Sequence, residues 1–303
     1  MYDVIIVGGG PAGLSAALIL GRCRRRVLLC DAGRPRSAPS RHLNGFLTRD
    51  GTPPEELRRR GREQLGTYDS VEVRDAEATD VSRRTGGGFE VTLDGDGGRA
   101  RSEASRKLLL ATGVVDSLPD VEGLRELYGR SVFHCPYCDG WEHRDQPLAV
   151  YGRGANGQRL ALELTAWSRD LVLCTDGPAL LPPDNLDRLA HNGIGLREER
   201  IARLEGRDGV LERVRFETGG ALARRAFFFA SAERQASDLA QRLGCMLTPR
   251  GDVETGRYET TGVPGLYVAG DASRRVQLAV VAAAEGAMAA FAINTELLKE
   301  DLR

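Results

Sequence analysis

The chain has 303 residues, enough for two domains with cores of their own. Its 42 basic and 43 acidic residues leave a formal charge of −1, which argues against nucleic acid or an anionic membrane as the obligatory partner. Six cysteines, only two of them close together, do not make a secreted disulfide framework. The N-terminus lacks a charged n-region and no apolar run reaches about 18 residues, so a cytoplasmic setting is expected.

Residues 3–7 form a short apolar run suited to a strand buried on both faces. The run leads into Gly8-x-Gly10-x-x-Gly13 and an alanine- and leucine-rich helix over 14–20. A second strand, 26–30, ends at Asp31, 18 residues past the last glycine, where an acid is expected on a ribose hydroxyl. The glycines allow a tight turn, a close approach to a pyrophosphate and a helix–strand contact, and the helix N-terminus favours the phosphate charge. Strand, glycines, helix, strand and acid in that order are far more specific than the glycines alone.

Residues 35–54 form a polar, proline-containing connection that includes Asn44-Gly45-Phe46. A loop that long inside a compact domain usually has a task, and covering a bound cofactor is the one expected. A charged helix over 55–64 follows, then strands at 71–76, 80–82 and 89–93, a glycine hairpin at 86–88 and a turn at 94–98. An apolar strand at 107–111 stops at Thr112-Gly113.

The middle of the chain carries His134-Cys135-Pro136-Tyr137-Cys138-Asp139-Gly140. If this segment opens a helix, the two cysteines share a face. Their Cα atoms then lie roughly 5 Å apart, within reach of a disulfide. Pro136 suits a first turn, and the positive helix end favours thiolate over thiol. Cys23, Cys30, Cys174 and Cys245 are isolated and read as small buried hydrophobes.

A second strand–glycine–helix–strand series follows: a strand at 147–151, Gly152-x-Gly154-x-x-Gly157, a helix over 158–167, and a strand at 171–174 closing at Thr175-Asp176. An acid there suits a free ribose 2′-OH, whereas a 2′-phosphate needs a nearby arginine. If a nicotinamide nucleotide binds, NADH is therefore favoured over NADPH. A second flavin, or no ligand at all, is the other reading of this loop. Strands at 210–218, 226–230 and 265–269, a helix near 237–243, the pair Gly270-Asp271 and an alanine-rich helix over 277–298 complete the chain.

Together, Gly8-Gly9-Gly10-Pro11-Ala12-Gly13, Ala111-Thr112-Gly113, Cys135-x-x-Cys138-Asp139-Gly140, the second glycine loop and Val263-Pro264-Gly265-Leu266-Tyr267-Val268-Ala269-Gly270-Asp271 resemble the low-molecular-weight thioredoxin reductase family over almost the whole chain. The resemblance implies two Rossmann-like α/β nucleotide-binding domains of the three-layer ββα kind, the second inserted in the first. Residues 1–115 and 248–303 would bind FAD, and 116–247 would form the central redox domain of a homodimer. FAD contacts would fall to Gly8, Gly10, Pro11, Ala12, Gly13, Asp31, Asn44, Thr112, Gly113, Gly270, Asp271, Gln277, Leu278 and Ala279. By position, Cys138 would be the sulfur nearest the flavin and Cys135 the interchange thiol. Asp139 would be the proton donor or acceptor, its pKa raised by burial beside the flavin. The partner would be a thioredoxin-like protein or a small dithiol or disulfide.

Three departures bear on NADPH-dependent reduction of thioredoxin. The basic motif that reads a 2′-phosphate is replaced by Thr175-Asp176-Gly177-Pro178, the last helix opens on Gln277-Leu278-Ala279, and the redox motif reads CPYC followed by Trp141-Glu142-His143. They point toward dithiol oxidases that pass electrons to oxygen, or toward relatives without nicotinamide binding. Two further readings compete. Cys135, Cys138, His143 and His134 could ligate zinc, although that leaves both glycine loops without a purpose, and the chain could be a flavin-bound redox sensor. Glutaredoxins share CPYC but are far smaller and lack the glycine loops. His134 and His143 are candidates for proton transfer, and the sequence does not decide whether Tyr137 and Trp141 face a partner or the core.

Overall fold

A computed structural model describes residues 1–94, 100–274 and 276–303. The expected turn at 94–98 lies, beyond residue 94, outside the described residues. In chain order the first part holds β1 (Tyr2–Val7), α1 (Pro11–Arg22), β2 (Val27–Asp31), α2 (Pro54–Leu65), β3 (Val71–Asp75), β4 (Ala78–Arg83), β5 (Phe89–Leu93), β6 (Arg101–Leu110) and β7 (Val114–Ser117). Then come α3 (Leu124–Leu127), β8 (Val132–Phe133), α4 (Pro136–Asp139), β9 (Leu148–Tyr151), α5 (Gly154–Leu164), β10 (Leu171–Cys174), α6 (Pro183–His191) and β11 (Gly195–Arg197). The remainder is β12 (Ile201–Arg207), β13 (Val210–Phe216), β14 (Ala221–Ala223), β15 (Ala226–Phe229), β16 (Ala232–Gln235), α7 (Leu239–Arg242), β17 (Leu266–Val268) and α8 (Ala279–Asp301).

The chain divides into two compact α/β units. The first comprises Met1–Ala38, Gly45–Val115 and Glu233–Arg303, and the second Pro39–Asn44 and Asp116–Ala232. The return to the first unit thus comes earlier than residue 248. Ala236 N–H donates to the Gly113 carbonyl, and Leu239, Ala240 and Cys245 pack among the apolar side chains of the first unit.

In the first unit, β3-β2-β1-β6 are parallel, and β17 pairs with the C-terminal half of β6. The N-terminal half of β6 pairs antiparallel with β5, which continues into β4. The ten residues of β6 thus serve two layers, a parallel sheet and a meander. Alternation in β1 matches this: Ile5 and Val7 face the meander side, while Val4 and Ile6 face α1 and α8. Each such fully buried side chain contributes roughly 1.5–3 kcal/mol.

Helix α8 is long and apolar enough by composition to cross a bilayer. Its buried Ala282, Ala289, Ala290, Ile293 and Leu297 nevertheless lie in the core shared with α1. A Cβ at Gly286 would collide with the Ala12 carbonyl, so the two helices touch through backbone.

The second unit has a five-stranded parallel sheet, β11-β10-β9-β15-β8, and a separate antiparallel sheet, β12-β13-β14. Four consecutive buried residues in β15, Ala226 and three phenylalanines, fill both faces of the parallel sheet.

Candidate active site

The redox motif lies at the end of β8 in the second unit. Cys135 and Cys138 form a disulfide with Cα atoms 5.3 Å apart, and both are half-buried. Cys135 caps α4, and the Cys138 N–H points at its sulfur at 3.1 Å. That helix is a single turn of four residues followed by a 3₁₀ turn over Trp141–His143. The helix that the sequence predicts here is thus one turn long, without aligned peptides over several turns. A local N–H acts on the sulfur instead.

Asp139 stands next to the pair. Burial, and then the charge of Glu142, push its carboxyl up to about 7. His143 goes the other way: burial lowers its pKa, its ring packs on Phe133, and Nδ1 meets Gln146. His134 has Nδ1 3.0 Å from the Tyr128 hydroxyl, which donates to Asp116. Tyr137 and Trp141 are both exposed. Tyr137 lies edge-on to Trp167, and the Arg144 guanidinium covers Trp141 at 4.2 Å.

Asn44 was expected over a cofactor; its Nδ2 donates to the Cys138 carbonyl at 2.9 Å. Of the isolated cysteines, Cys30, Cys174 and Cys245 are buried, and burial pushes the Cys30 and Cys174 thiols up to about 12. Cys23 is exposed, contrary to the sequence reading, because it ends α1 at a turn rather than lying within the helix.

The first unit gathers the first glycine loop. Gly8 has φ +114, and a Cβ there would collide with the Ala111 carbonyl, so the loop abuts the end of β6 where Thr112 and Gly113 follow. Gly13 has no room for a side chain against the Gly8 carbonyl. A Cβ on Gly10 or Gly113, by contrast, meets no protein atom within 4 Å among the described residues. That is the shape of a cradle for a diphosphate, with Pro11, Ala12 and Gly13 opening α1.

Asp31 ends β2, accepts the Gly33 N–H at 3.0 Å and pairs with Arg58 at 2.7 Å. Burial alone would raise its pKa; those two partners hold it below the usual range. Asp271 pairs with Arg36 at 2.9 Å, and the same guanidinium donates to Gln277. Leu278 and Ala279 open α8.

The second glycine loop is built alike but filled differently. The Gly154 N–H, first in α5, donates to the Ala179 carbonyl at 2.8 Å. Arg153 donates Nε to the Thr175 carbonyl at 3.2 Å and Nη2 to that of Asp176. The Asp176 carboxylate accepts the Ile201 N–H at 2.8 Å. Asp176, Gly177 and Leu180 all have left-handed φ, of 51°, 122° and 54°, and the loop is tied down by Glu198 through the Gly177 and Ala179 amides. A cavity of about 360 Å³ lined by Tyr151, Arg153, Thr175, Asp176 and Arg200 lies alongside. The Gly154 N–H and one oxygen of the Asp176 carboxylate are thus engaged within the protein, and Arg153 and Arg200 stand beside that acid in the cavity wall, which the spacing of Gly152, Gly154, Gly157 and Asp176 does not show in sequence.

Comparison with known proteins identifies the lineage. The family model described as pyridine nucleotide-disulphide oxidoreductase matches residues 2–286. The chain belongs to that family. It is 33% identical to a probable thioredoxin reductase of Arthroderma benhamiae, covering 99% of this chain and 81% of the relative. Among solved structures, a putative thioredoxin reductase TrxB of Bacillus anthracis superposes with a TM-score of 0.93 at 32% identity, covering 99% of this chain and 100% of that one. HlmI superposes with a TM-score of 0.92 at 39% identity, covering 99% and 94%. The chain is thus a thioredoxin reductase-like oxidoreductase with the two-domain Rossmann-type fold of its family.

Proposed function

We propose that the chain is an FAD-dependent thiol–disulfide oxidoreductase whose Cys135–Cys138 pair exchanges two electrons with an external dithiol or disulfide. The observation that carries this reading is a half-exposed disulfide with a carboxyl of pKa about 7 beside it. A group poised near working pH can both take and return a proton. FAD would be held by Gly8, Gly10, Pro11, Ala12, Gly13, Asp31, Thr112, Gly113, Asp271 and Gln277 of the first unit; Asn44 would act from the redox loop. When bound, FAD supplies a two-electron acceptor or donor for the dithiol.

In the direction of oxidation, the Asp139 carboxylate takes the proton of a substrate thiol, the resulting thiolate attacks Cys135 Sγ and breaks the enzyme disulfide, and Cys138 leaves as thiolate and takes that proton from Asp139. The second substrate thiolate then attacks its mixed-disulfide sulfur and expels Cys135. The substrate leaves as a disulfide, and its two protons end on the enzyme's cysteines. This direction, with oxygen as final acceptor, is preferred to NADPH-driven reduction of a thioredoxin-like protein because the Ala179 carbonyl takes the Gly154 N–H and the Ile201 N–H donates to the Asp176 carboxylate at the second glycine loop. Four cysteines without disulfide partners suit a reducing cytoplasm. The exposed Val280, Met288 and Phe291 of α8 suit a homodimer.

Serine at Cys138 should trap a disulfide-containing partner on Cys135 as a mixed disulfide, seen as an intact-mass adduct. An adduct on Cys23 alone, or on no residue, would sink the assignment.

A further inference from the structure

The first unit keeps two acids buried around one guanidinium. Glu259 is fully buried and Glu285 is 4% exposed. Arg274 donates Nη2 to Glu259 Oε2 at 2.6 Å and Nε to Glu285 Oε1 at 2.9 Å. Glu285 Oε2 accepts the Gly270 N–H at 2.8 Å, while Glu259 Oε1 is buried with no hydrogen-bond partner among the described residues. Glu259 reaches this position through two successive left-handed residues, Tyr258 and Glu259, at φ 58° and 63°.

As a device for stability this is a poor one. Burial, and then the Glu259 charge, push the Glu285 carboxyl above its usual range, against the pull of the Gly270 N–H and Arg274. Buried charge clusters are often replaced by apolar residues at no loss. Removing Glu285 would leave Glu259 and Arg274 as a balanced pair. The cluster does, however, hold one particular turn. Gly270 has φ +80, and a Cβ there would press on the Ala12 Cβ at 3.1 Å, so the turn lies against the first glycine loop. Asp271 follows at once, and Gln277 Nε2 meets the Arg274 carbonyl at 3.4 Å.

We propose that Glu285 is a positioning residue for the flavin cofactor: its carboxylate holds the Gly270 N–H and so fixes the Gly270–Asp271 turn against the first glycine loop. The proposal rests on the reading that the first unit binds FAD. Glu285 touches no substrate and acts only through the backbone of the turn.

The test titrates flavin-free full-length protein with FAD, followed by flavin fluorescence, alongside the melting temperature of each flavin-free variant. Glu285→Leu removes both acceptor oxygens and should weaken FAD at least tenfold, with a melting temperature lowered by a few degrees because the buried Gly270 N–H loses its partner. Glu285→Gln keeps an acceptor for the Gly270 N–H and should bind within about threefold of wild type. Wild-type affinity in Glu285→Leu overturns the proposal. So does equal loss in Glu285→Gln. If Glu285→Leu does not fold, amide exchange in wild-type flavin-free protein decides: Gly270 should be protected like the strand before it, and exchange as fast as an open turn overturns the proposal. A wild type that takes up no FAD would instead refute the parent reading.

Discussion

The two glycine loops have the same sequence pattern and the same strand–turn–helix build, yet they differ in what lies over them. At the first, the Cβ directions of Gly10 and Gly113 are open. At the second, the first helix N–H is taken by the Ala179 carbonyl, and an arginine inside the motif bonds the carbonyls of Thr175 and Asp176. The motif dictates a backbone, because Gly13 and Gly157 must each pack on a carbonyl or Cα of the turn. What lies over the turn is decided by a residue inside the motif, Arg153, and by residues that follow the next strand.

Several substitutions break or sharpen this contrast. The largest effect should come from Cys138→Ser, which removes the sulfur that closes the disulfide; steady-state exchange should fall by at least about a thousandfold in a stopped-flow assay. Flavin content should be unchanged. At the first loop, Gly10→Leu places a side chain where the protein leaves room and at a φ of −78° that any residue adopts. Its melting temperature without flavin should match wild type, while FAD affinity drops on the order of a hundredfold by fluorescence titration.

Asp139→Asn should slow exchange by about a hundredfold. In the wild type, the step needing a protonated Asp139 should decline as pH rises through about 7, and the variant should lose that break. The sign for stability follows from the same shift. A carboxyl raised from 3.8 to about 7 in the folded state binds more protons there than when unfolded, so its contribution is full below about 4 and is lost as pH rises to 7. Asp139→Asn should therefore melt a few degrees above wild type at pH 8, with little difference at pH 4. The smallest effect belongs to Arg153→Ala, which should leave flavin content and dithiol turnover within about twofold. A large loss there would mean that the second loop takes part in catalysis.

Much of the fold was legible because both βαβ openings couple an apolar strand, spaced glycines and an apolar helix within a short stretch. The antiparallel sheet β12-β13-β14 was only partly legible. Its faces carry Arg203, Arg213 and Arg215, all pairing with Glu205, and these charges hide the two-residue apolar period. The cysteine pair and Asp139 were readable from spacing and residue type. The closure of the second loop was not, because Asp176 at a strand end looks like a ribose acid until its carboxylate is seen on the Ile201 N–H. Glu285 carried no signal either: one acid in an alanine-rich helix reads as a solvated residue, and only the fold brings it to Gly270.

The most direct measurement is an anaerobic titration of the purified flavoprotein with a small dithiol, NADH and NADPH in turn, watched at the visible flavin band. One equivalent of dithiol should bleach the band and admitted oxygen should restore it, while either nucleotide leaves it standing on the same timescale. Rapid bleaching by NADH or NADPH, or a flavin that stays oxidised under excess dithiol, would contradict the account.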